Sequence, residues 1–409
     1  MSGLHPLECT TLENLHKMHL DQAPMALALS GGGDSMALAL ILKRLRKERK
    51  IGPFVTLTVD HGLRIESGQE ITQVNKWMTE HGLIHILLND ESPRPETAIQ
   101  EWARDYRYDL MIRHCKENKI PTLLTAHTMD DQAETVIMRL MRGAGIQGLQ
   151  AIRCARTQAG VTIFRPLLDA RRSDLRRYLD DHQQPWIEDP ANQQRSFERV
   201  RIRQWLTEDS NPLKPEALAK VAGYMAEADQ VLTELCADWA REHIRDDSFG
   251  GLSMEAEHLY SLPNPLYHRI LALAMQRVRG RYLIQPQPEA VLSLRDKTDA
   301  TLAGVRFRHK KGRLYLFREV GRIASKPARS GLWDDRFQIE IKTSDSELSD
   351  FTIAPLGRGA VRMIHPGWQG GEALYACPGL WKDKEILVAP SLDWRANDDA
   401  PGMVMRQVV

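Results

Sequence analysis

The sequence predicts an α/β protein: an N-terminal domain on a parallel sheet, a mainly helical middle domain and a small β-rich C-terminal domain. Three observations predict it. Over residues 1–205 short apolar runs alternate with helical patterns, as in a parallel sheet covered by helices. Within that stretch a glycine-rich segment joins an apolar run directly to an amphipathic one. Past residue 330 the segments FQIEIKT, FTIAPL, LYACPGL and EILVAP alternate or run apolar over strand lengths.

Taken in order, the strands are expected at residues 25–29, 54–59, 84–88 and 122–126. Helices are expected at 34–47, 66–81, 96–118 and 130–142, with Gly143 just past the last as its C-terminal stop. The stretch 206–218 concentrates proline with acidic and polar residues and reads as a boundary. Helical spacing resumes at 217–245 and 266–278, a strand is expected at 314–317, and RIASKPARSGLW at 322–333 reads as a second linker. The domains are therefore expected at 1–212, 213–322 and 330–409.

Composition narrows the function. The 409 residues carry a formal net charge of +1, so any nucleic-acid surface must come from local clusters rather than the average. No apolar run is long enough to cross a bilayer, and the N-terminus lacks a basic start with an apolar centre, so a cytoplasmic protein is expected with no membrane partner. Five cysteines, Cys9, Cys115, Cys154, Cys236 and Cys377, lie far apart, which disfavours a disulfide scaffold, a zinc ribbon or an iron–sulfur site.

The chemistry starts at Ser30, Gly31, Gly32, Gly33, Asp34 and Ser35, between strand and helix. Glycines let successive N–H groups turn into one concavity, and the helix that follows adds its positive end, so a pyrophosphate fits there. Ser30 and Ser35 can donate hydroxyls, and Asp34 can hold Mg²⁺. A Walker loop would need a lysine that is missing, and a dinucleotide fingerprint would need glycine where Met36 stands. The plain alternative is a tight strand-to-helix connection. The loop resembles that of the PP-loop ATP pyrophosphatases, which cleave ATP between its α and β phosphates and form an adenylylated intermediate.

Further segments carry candidate roles. Asp60 and His61, at the end of the second strand, stand where open α/β sheets place ligands, although Gly62 also suits a plain turn. In the segment TAHTMDDQAET, Asp130 can cap the helix it opens. Asp131 and Glu134 are three apart and share a helical face; spacing alone favours solvated surface acids, while beside an ATP loop the pair suits an ammonium group. Arg104 and Arg107, in EWARDYRY, can fork onto phosphates or pair with nearby acids. Arg172, Arg176 and Arg177 follow the segment FRPLL, and Arg199, Arg201 and Arg203 form a basic patch that favours a phosphate-rich partner or makes a solvated helix face.

SGGGDS, VDHGLR, TAHTMDDQAET, EWARDYRY, FRPLL and the DPAN segment followed by RVRIR together resemble the tRNA(Ile)-lysidine synthetase family, densely over 20–205 and thinly beyond. That resemblance implies ATP-dependent ligation of free L-lysine to C2 of the wobble cytidine in the CAU anticodon of tRNA(Ile). The product is lysidine, with AMP and pyrophosphate released; codon reading changes from AUG to AUA and identity from Met to Ile. It assigns Ser30 to Ser35, Asp60 and His61 to ATP, Asp34 to Mg²⁺, and Asp131 and Glu134 to the lysine or to catalysis. Arg104, Arg107, Arg199, Arg201 and Arg203 go to the tRNA or its cytidine, and a homodimer is compatible. Thr128 stands where the family usually has a second histidine, so it receives no role, and HPGWQGGEA is shorter than the family's usual stretch. A tRNA-thiolating enzyme would need cysteine chemistry beyond isolated thiols. A glutamine-dependent synthetase would need a G-x-C-x-G elbow that is absent.

Overall fold

The structure, a computed structural model, describes residues 3–60, 67–89, 99–188, 196–208, 210–280, 286–295, 297–342, 350–368, 370–397 and 400–408. The chain divides into two compact units, Met1–Asp229 and Gln230–Val409.

The first unit runs α1 (Pro6–Lys17), β1 (Met25–Ala28), α2 (Gly33–Lys47), β2 (Phe54–Val59), α3 (Ser67–Glu80), β3 (His85–Leu88), α4 (Ile99–Glu117) and β4 (Thr122–Leu124). It continues with α5 (Met129–Met141), α6 (Ile146–Leu149), β5 (Ala155–Gln158), β6 (Val161–Phe164), α7 (Arg172–Asp181), α8 (Glu198–Leu206) and the start of α9 (Pro215–His243). The sheet order is β3-β2-β1-β4-β6-β5, parallel except for β5. Met25 lies opposite both Phe54 and Thr122, so β1 is central.

Strand alternation sends residues to two different cores. Met25 and Leu27 point into a core with Leu15, Ile41, Leu45, Leu175 and Tyr178, contributed by α1, α2 and α7. Ala26 points the other way, into a core with Tyr108, Met111, Ile112 and Cys115 from α4. Each leucine-sized side chain buried this way stabilises by about 1.5–3 kcal/mol, which is why near-continuous apolar strands form a sheet covered on both faces.

The chain lays β1, β2 and β3 outward in sequence, then returns β4 to the opposite side of β1. Connections therefore leave the carboxyl ends of β1 and β4 in opposite directions and open a crevice between them. The loop 30–35 follows β1 and the segment 125–128 follows β4, so both edge that crevice.

Several elements depart from the sequence expectation. Helix α1 is unforeseen; Pro6 opens it behind a His5 cap whose amide donates to Glu8 Oε2 at 2.9 Å. The β5–β6 hairpin turns through Ala159 and Gly160, both at positive φ (48° and 84°), as a tight hairpin turn requires. Asp130 does not cap α5: the cap is Thr128. Gly143 does end that helix, at φ +69°.

In the second unit the expected helix at 266–278 appears as Asn264–Arg279. It packs Tyr267, Ile270, Leu271, Met275 and Val278 against Met254, Phe307, Leu314 and Leu316. Those partners belong to a five-stranded antiparallel sheet, of which the sequence predicts only the strand within Arg313–Arg318. A second core, around Trp333, Phe337, Ile339, Leu374, Leu380 and Val388, holds the C-terminal strands. Segment 322–333, expected as a linker, is drawn into them: Lys326–Pro327 pairs with Phe351–Pro355, and Gly331–Trp333 with Phe337–Lys342. Among the described residues no helix is long and apolar enough to cross a membrane.

Candidate active site

Leaving β1, Leu29 still donates to Leu57 O at 2.8 Å, and the chain then turns into α2. Gly31 makes the turn at φ +80°. A Cβ there would lie 2.6 Å from Val74 Cγ2 and 2.9 Å from Ile187 Cδ1, so glycine is required by conformation and by space. Ser35 Oγ donates to Gly32 O at 2.9 Å, accepts from the Ser30 amide at 3.3 Å and lies 3.2 Å from Ser30 Oγ. The two hydroxyls thus close the loop on itself. Gly32, the cap residue of α2, has no side chain to cover the first-turn N–H groups, which leaves them for an anion.

Asp34 stands in that first turn. Burial pushes its carboxyl up to about 6, against the pull of Arg172, whose Nε lies 3.2 Å from Asp34 Oδ2. The negative charge of Asp131 adds to the rise, so Asp34 and the acid pair of α5 share one electrostatic environment.

Across the crevice, Thr128 caps α5. Its amide and its hydroxyl donate to Asp131 Oδ2 at 2.8 and 3.0 Å, and its hydroxyl accepts from the Asp131 amide at 3.4 Å. This reciprocal box fixes the rotamer of Asp131 and turns its other oxygen, Oδ1, toward the basic side chains. Oδ1 receives Arg172 Nη2 at 2.7 Å and Arg199 Nη2 at 3.0 Å. Glu134, one turn on and 1% exposed, receives Arg199 Nε at 2.6 Å, Arg203 Nε at 2.7 Å and Arg172 Nη1 at 3.2 Å. Burial alone would raise the Asp131 carboxyl, but Arg172, Arg199, His127 and the Thr128 amide hold it below the usual carboxylate range. Arg172 itself is raised despite burial, because Asp131, Asp34 and Glu134 surround it.

Two more groups complete the crevice. His127, at the end of β4, is pushed down to about 4 by burial, so it is a neutral imidazole near pH 7; its Nδ1 lies 3.0 Å from Thr125 Oγ1. Beyond Glu134 lies a cavity of about 300 Å³, lined by Asp130, Arg171, Arg203, Thr207 and Lys214 among others. Asp130 accepts the Arg172 amide at 2.7 Å and Arg171 Nε and Nη2, each at 3.3 Å; Arg171 also pairs with Glu216.

The structure thus brings the 30–35 loop, Asp34, Asp131, Glu134, Arg199 and Arg203 to one crevice. Arg201 lies on the other side of α8, exposed, donating to Ser196 O at 3.0 Å. Arg104 and Arg107 are exposed on α4, and the charge of Arg104 reaches His127 and Arg165. Asp60 follows β2 with its amide bound to Leu88 O at 2.9 Å, and His61 lies outside the described residues. Arg172, Thr128 and His127 have no role in the sequence reading. The dense RRSDLRRY cluster signals basic character but not which arginine turns inward.

The crevice can hold a polyanion on one side and, on the other, a group that competes for two carboxylates. A family model described as a PP-loop domain matches residues 7–210. A tRNA(Ile)-lysidine synthase of Ruegeria pomeroyi is 33% identical over 90% of this chain and 88% of its own. Another, from a Bradyrhizobium species, is 34% identical over 73% of this chain and 86% of its own. That of Anaplasma marginale is 29% identical over 95% of this chain and 92% of its own. With 33% identity over 90% of this chain and 88% of the Ruegeria relative, and a PP-loop domain at its N-terminal half, the chain belongs to the tRNA(Ile)-lysidine synthase family, ligases built on a PP-loop domain.

Proposed function

We propose that this protein ligates free L-lysine to C2 of the wobble cytidine in the CAU anticodon of tRNA(Ile), through an adenylylated cytidine. The observation that carries the reading is the distribution of charge: an uncapped helix start beside Asp34 faces the buried pair Asp131 and Glu134 across one crevice. The first arm suits a triphosphate and the second an ammonium group.

The cytidine carbonyl oxygen is a poor leaving group. Its attack on the α-phosphorus of ATP forms a P–O bond and releases pyrophosphate, and the lysine amine then forms the C2–N bond as AMP departs with that oxygen. The 30–35 loop would orient the phosphates, with Asp60 and His61 on the adenosine side. Asp131 and Glu134 would position the amine, and Arg199, which spans that pair, and Arg203, which meets Glu134, would steady the activated cytidine or the tRNA backbone together with Arg104, Arg107 and Arg201.

For Mg²⁺ the fit is through Asp34. No cage of three or more ligating side chains occurs among the described residues, and magnesium is commonly held by one or two carboxylates plus phosphates. The Asp34 carboxyl, pushed up to about 6 by burial, is a charge that a cation would relieve. Bound there, the ion would offset charge on the pyrophosphate.

The cavity behind Glu134 supports an amino acid as the acceptor rather than a simple amine. It joins carboxylates, Asp130 and Glu134, to the cations of Arg171, Arg203 and Lys214, as a zwitterion requires. The three-domain division at 1–212, 213–322 and 330–409 belongs to the same proposal, supported by separate apolar cores around Ile270 and around Phe337. The later domains would read the tRNA outside the anticodon, because one base cannot distinguish tRNAs.

The test is pyrophosphate release with purified tRNA(Ile) bearing a CAU anticodon, with and without lysine. Lysine-dependent formation of a lysidine-containing tRNA is the expected result. Release that ignores the tRNA, or that proceeds with a different acceptor, would defeat the proposal.

A further inference from the structure

Arg172 touches both arms of the crevice: Nε meets Asp34 at 3.2 Å, while Nη2 and Nη1 meet Asp131 at 2.7 Å and Glu134 at 3.2 Å. Its backbone is held separately, by Asp130 Oδ2 on its amide at the start of α7. That helix is anchored in turn by Leu175, Tyr178 and Leu179 in the core. The guanidinium can therefore change partners without moving a helix.

We propose that Arg172 couples the two substrate sites: with ATP in the loop its guanidinium turns from Asp131 and Glu134 to the phosphates, and the freed carboxylates then accept the lysine amine.

The argument is one of competing charge. Two buried carboxylates carry Arg172, Arg199 and Arg203, so an incoming ammonium meets acids already neutralised by protein cations. Arg199 and Arg203 come from α8 and meet the acid pair of α5, whereas Arg172, from α7, also reaches Asp34 in the first turn of α2. A triphosphate there offers a denser negative charge than the Asp34 carboxylate, and guanidinium groups fork readily onto phosphate oxygens. Once Arg172 turns, Asp131 and Glu134 lose one of their three cations. Their affinity for an ammonium rises, and the amine is admitted only after the nucleotide that must react first.

By linkage the effect is reciprocal: ATP tightens lysine binding by the factor with which lysine tightens ATP binding. The inference rests on the reading that Asp131 and Glu134 hold the lysine amine.

The experiment is calorimetric titration of L-lysine into the full-length protein, with and without the α,β-methylene analogue of ATP plus Mg²⁺. The wild-type Kd for lysine should fall by about fivefold or more when the analogue is present, a coupling of ordinary size. Arg172→Gln should bring that ratio close to one. Arg172→Lys, which keeps the charge and is the safer variant for folding, should give an intermediate ratio because a point charge cannot fork. A wild-type ratio of one, or a full ratio in folded Arg172→Gln or Arg172→Lys, would overturn the coupling. Asp131→Asn separates the two claims: if it leaves the lysine Kd unchanged with the analogue bound, the amine-site reading fails and takes the coupling with it. If it weakens lysine while the wild-type ratio is one, only the coupling fails.

Discussion

The Thr128 amide and hydroxyl converge on a single oxygen of Asp131, at 2.8 and 3.0 Å, and leave the other oxygen to Arg172 and Arg199. Thr128 thus aims a carboxylate of the crevice. Thr128→Val keeps the shape and removes the hydroxyl cap. It should cost about 1 kcal/mol of stability, as lost helix caps do. The KM for lysine should rise several-fold while that for ATP barely moves. An equal rise in both would show that Thr128 supports the fold and nothing more.

Glu134 is 1% exposed and binds Arg172, Arg199 and Arg203 together. Glu134→Gln leaves those cations under-compensated at a buried position. A loss on the order of 2 kcal/mol is expected, below the full cost of breaking a wholly buried pair because Arg199 and Arg203 are partly solvated. Urea denaturation measures it. If Glu134 holds the lysine amine as proposed, lysine-dependent ligation should fall by about tenfold or more, because a charge-assisted contact would be lost. Undiminished ligation would remove Glu134 from the site.

Gly31 combines φ +80° with no room for a Cβ beside Val74 and Ile187. Gly31→Ala should destabilise by about 1–3 kcal/mol through backbone strain alone. It should also distort the loop enough to raise the KM for ATP more than that for lysine. A thermal melt and steady-state kinetics on the same preparation test both. An unaltered KM for ATP would mean that the loop does not hold the phosphates.

His127, pushed down to about 4 from an ordinary 6.5, faces Asp131, Arg165, Arg199 and Arg104. Between those two pH values the unfolded chain binds a proton that the folded one refuses, so this residue's contribution is present above pH 6.5 and lost as pH falls toward 4. Stability measured across that window should decline less in His127→Gln than in the wild type. Identical slopes would place the acid sensitivity elsewhere.

Lys214 lines the cavity beyond Glu134 beside Arg171 and Arg203. If it meets the α-carboxylate of lysine, Lys214→Ala should weaken lysine by roughly threefold to tenfold, the scale of an exposed charge-assisted hydrogen bond. Competition by cadaverine, which has no carboxylate, should not change. Parallel weakening of both ligands would indicate a general electrostatic effect.

How much of this was legible beforehand follows from the range of the interactions. The central strands, α2 and the 30–35 loop rest on local signals: apolar runs, helical spacing, and glycines at a strand-to-helix junction. The five-stranded sheet of the second unit was mostly illegible, because a strand such as Val305–Lys310 carries only two apolar residues, Val305 and Phe307, among basic and imidazole side chains, too short an alternation to mark it until its partners are known. Segment 322–333 looked like a linker because proline and serine hide its pairing with strands that come later.

The sequence by itself determined that a phosphate-binding loop opens a parallel-sheet domain, and that two acids one helical turn apart begin α5. Only the tertiary structure decided which cations face them. Arg172 lies 138 residues from Asp34 and 41 from Asp131, and the charges of Arg199 and Arg201 are equally plain in sequence, yet Arg199 enters the crevice and Arg201 does not. The physical reason is that composition and spacing specify faces of elements, while the pairing of two charges depends on how the sheet order folds those faces together. Here that order places the end of β4 next to the loop that follows β1.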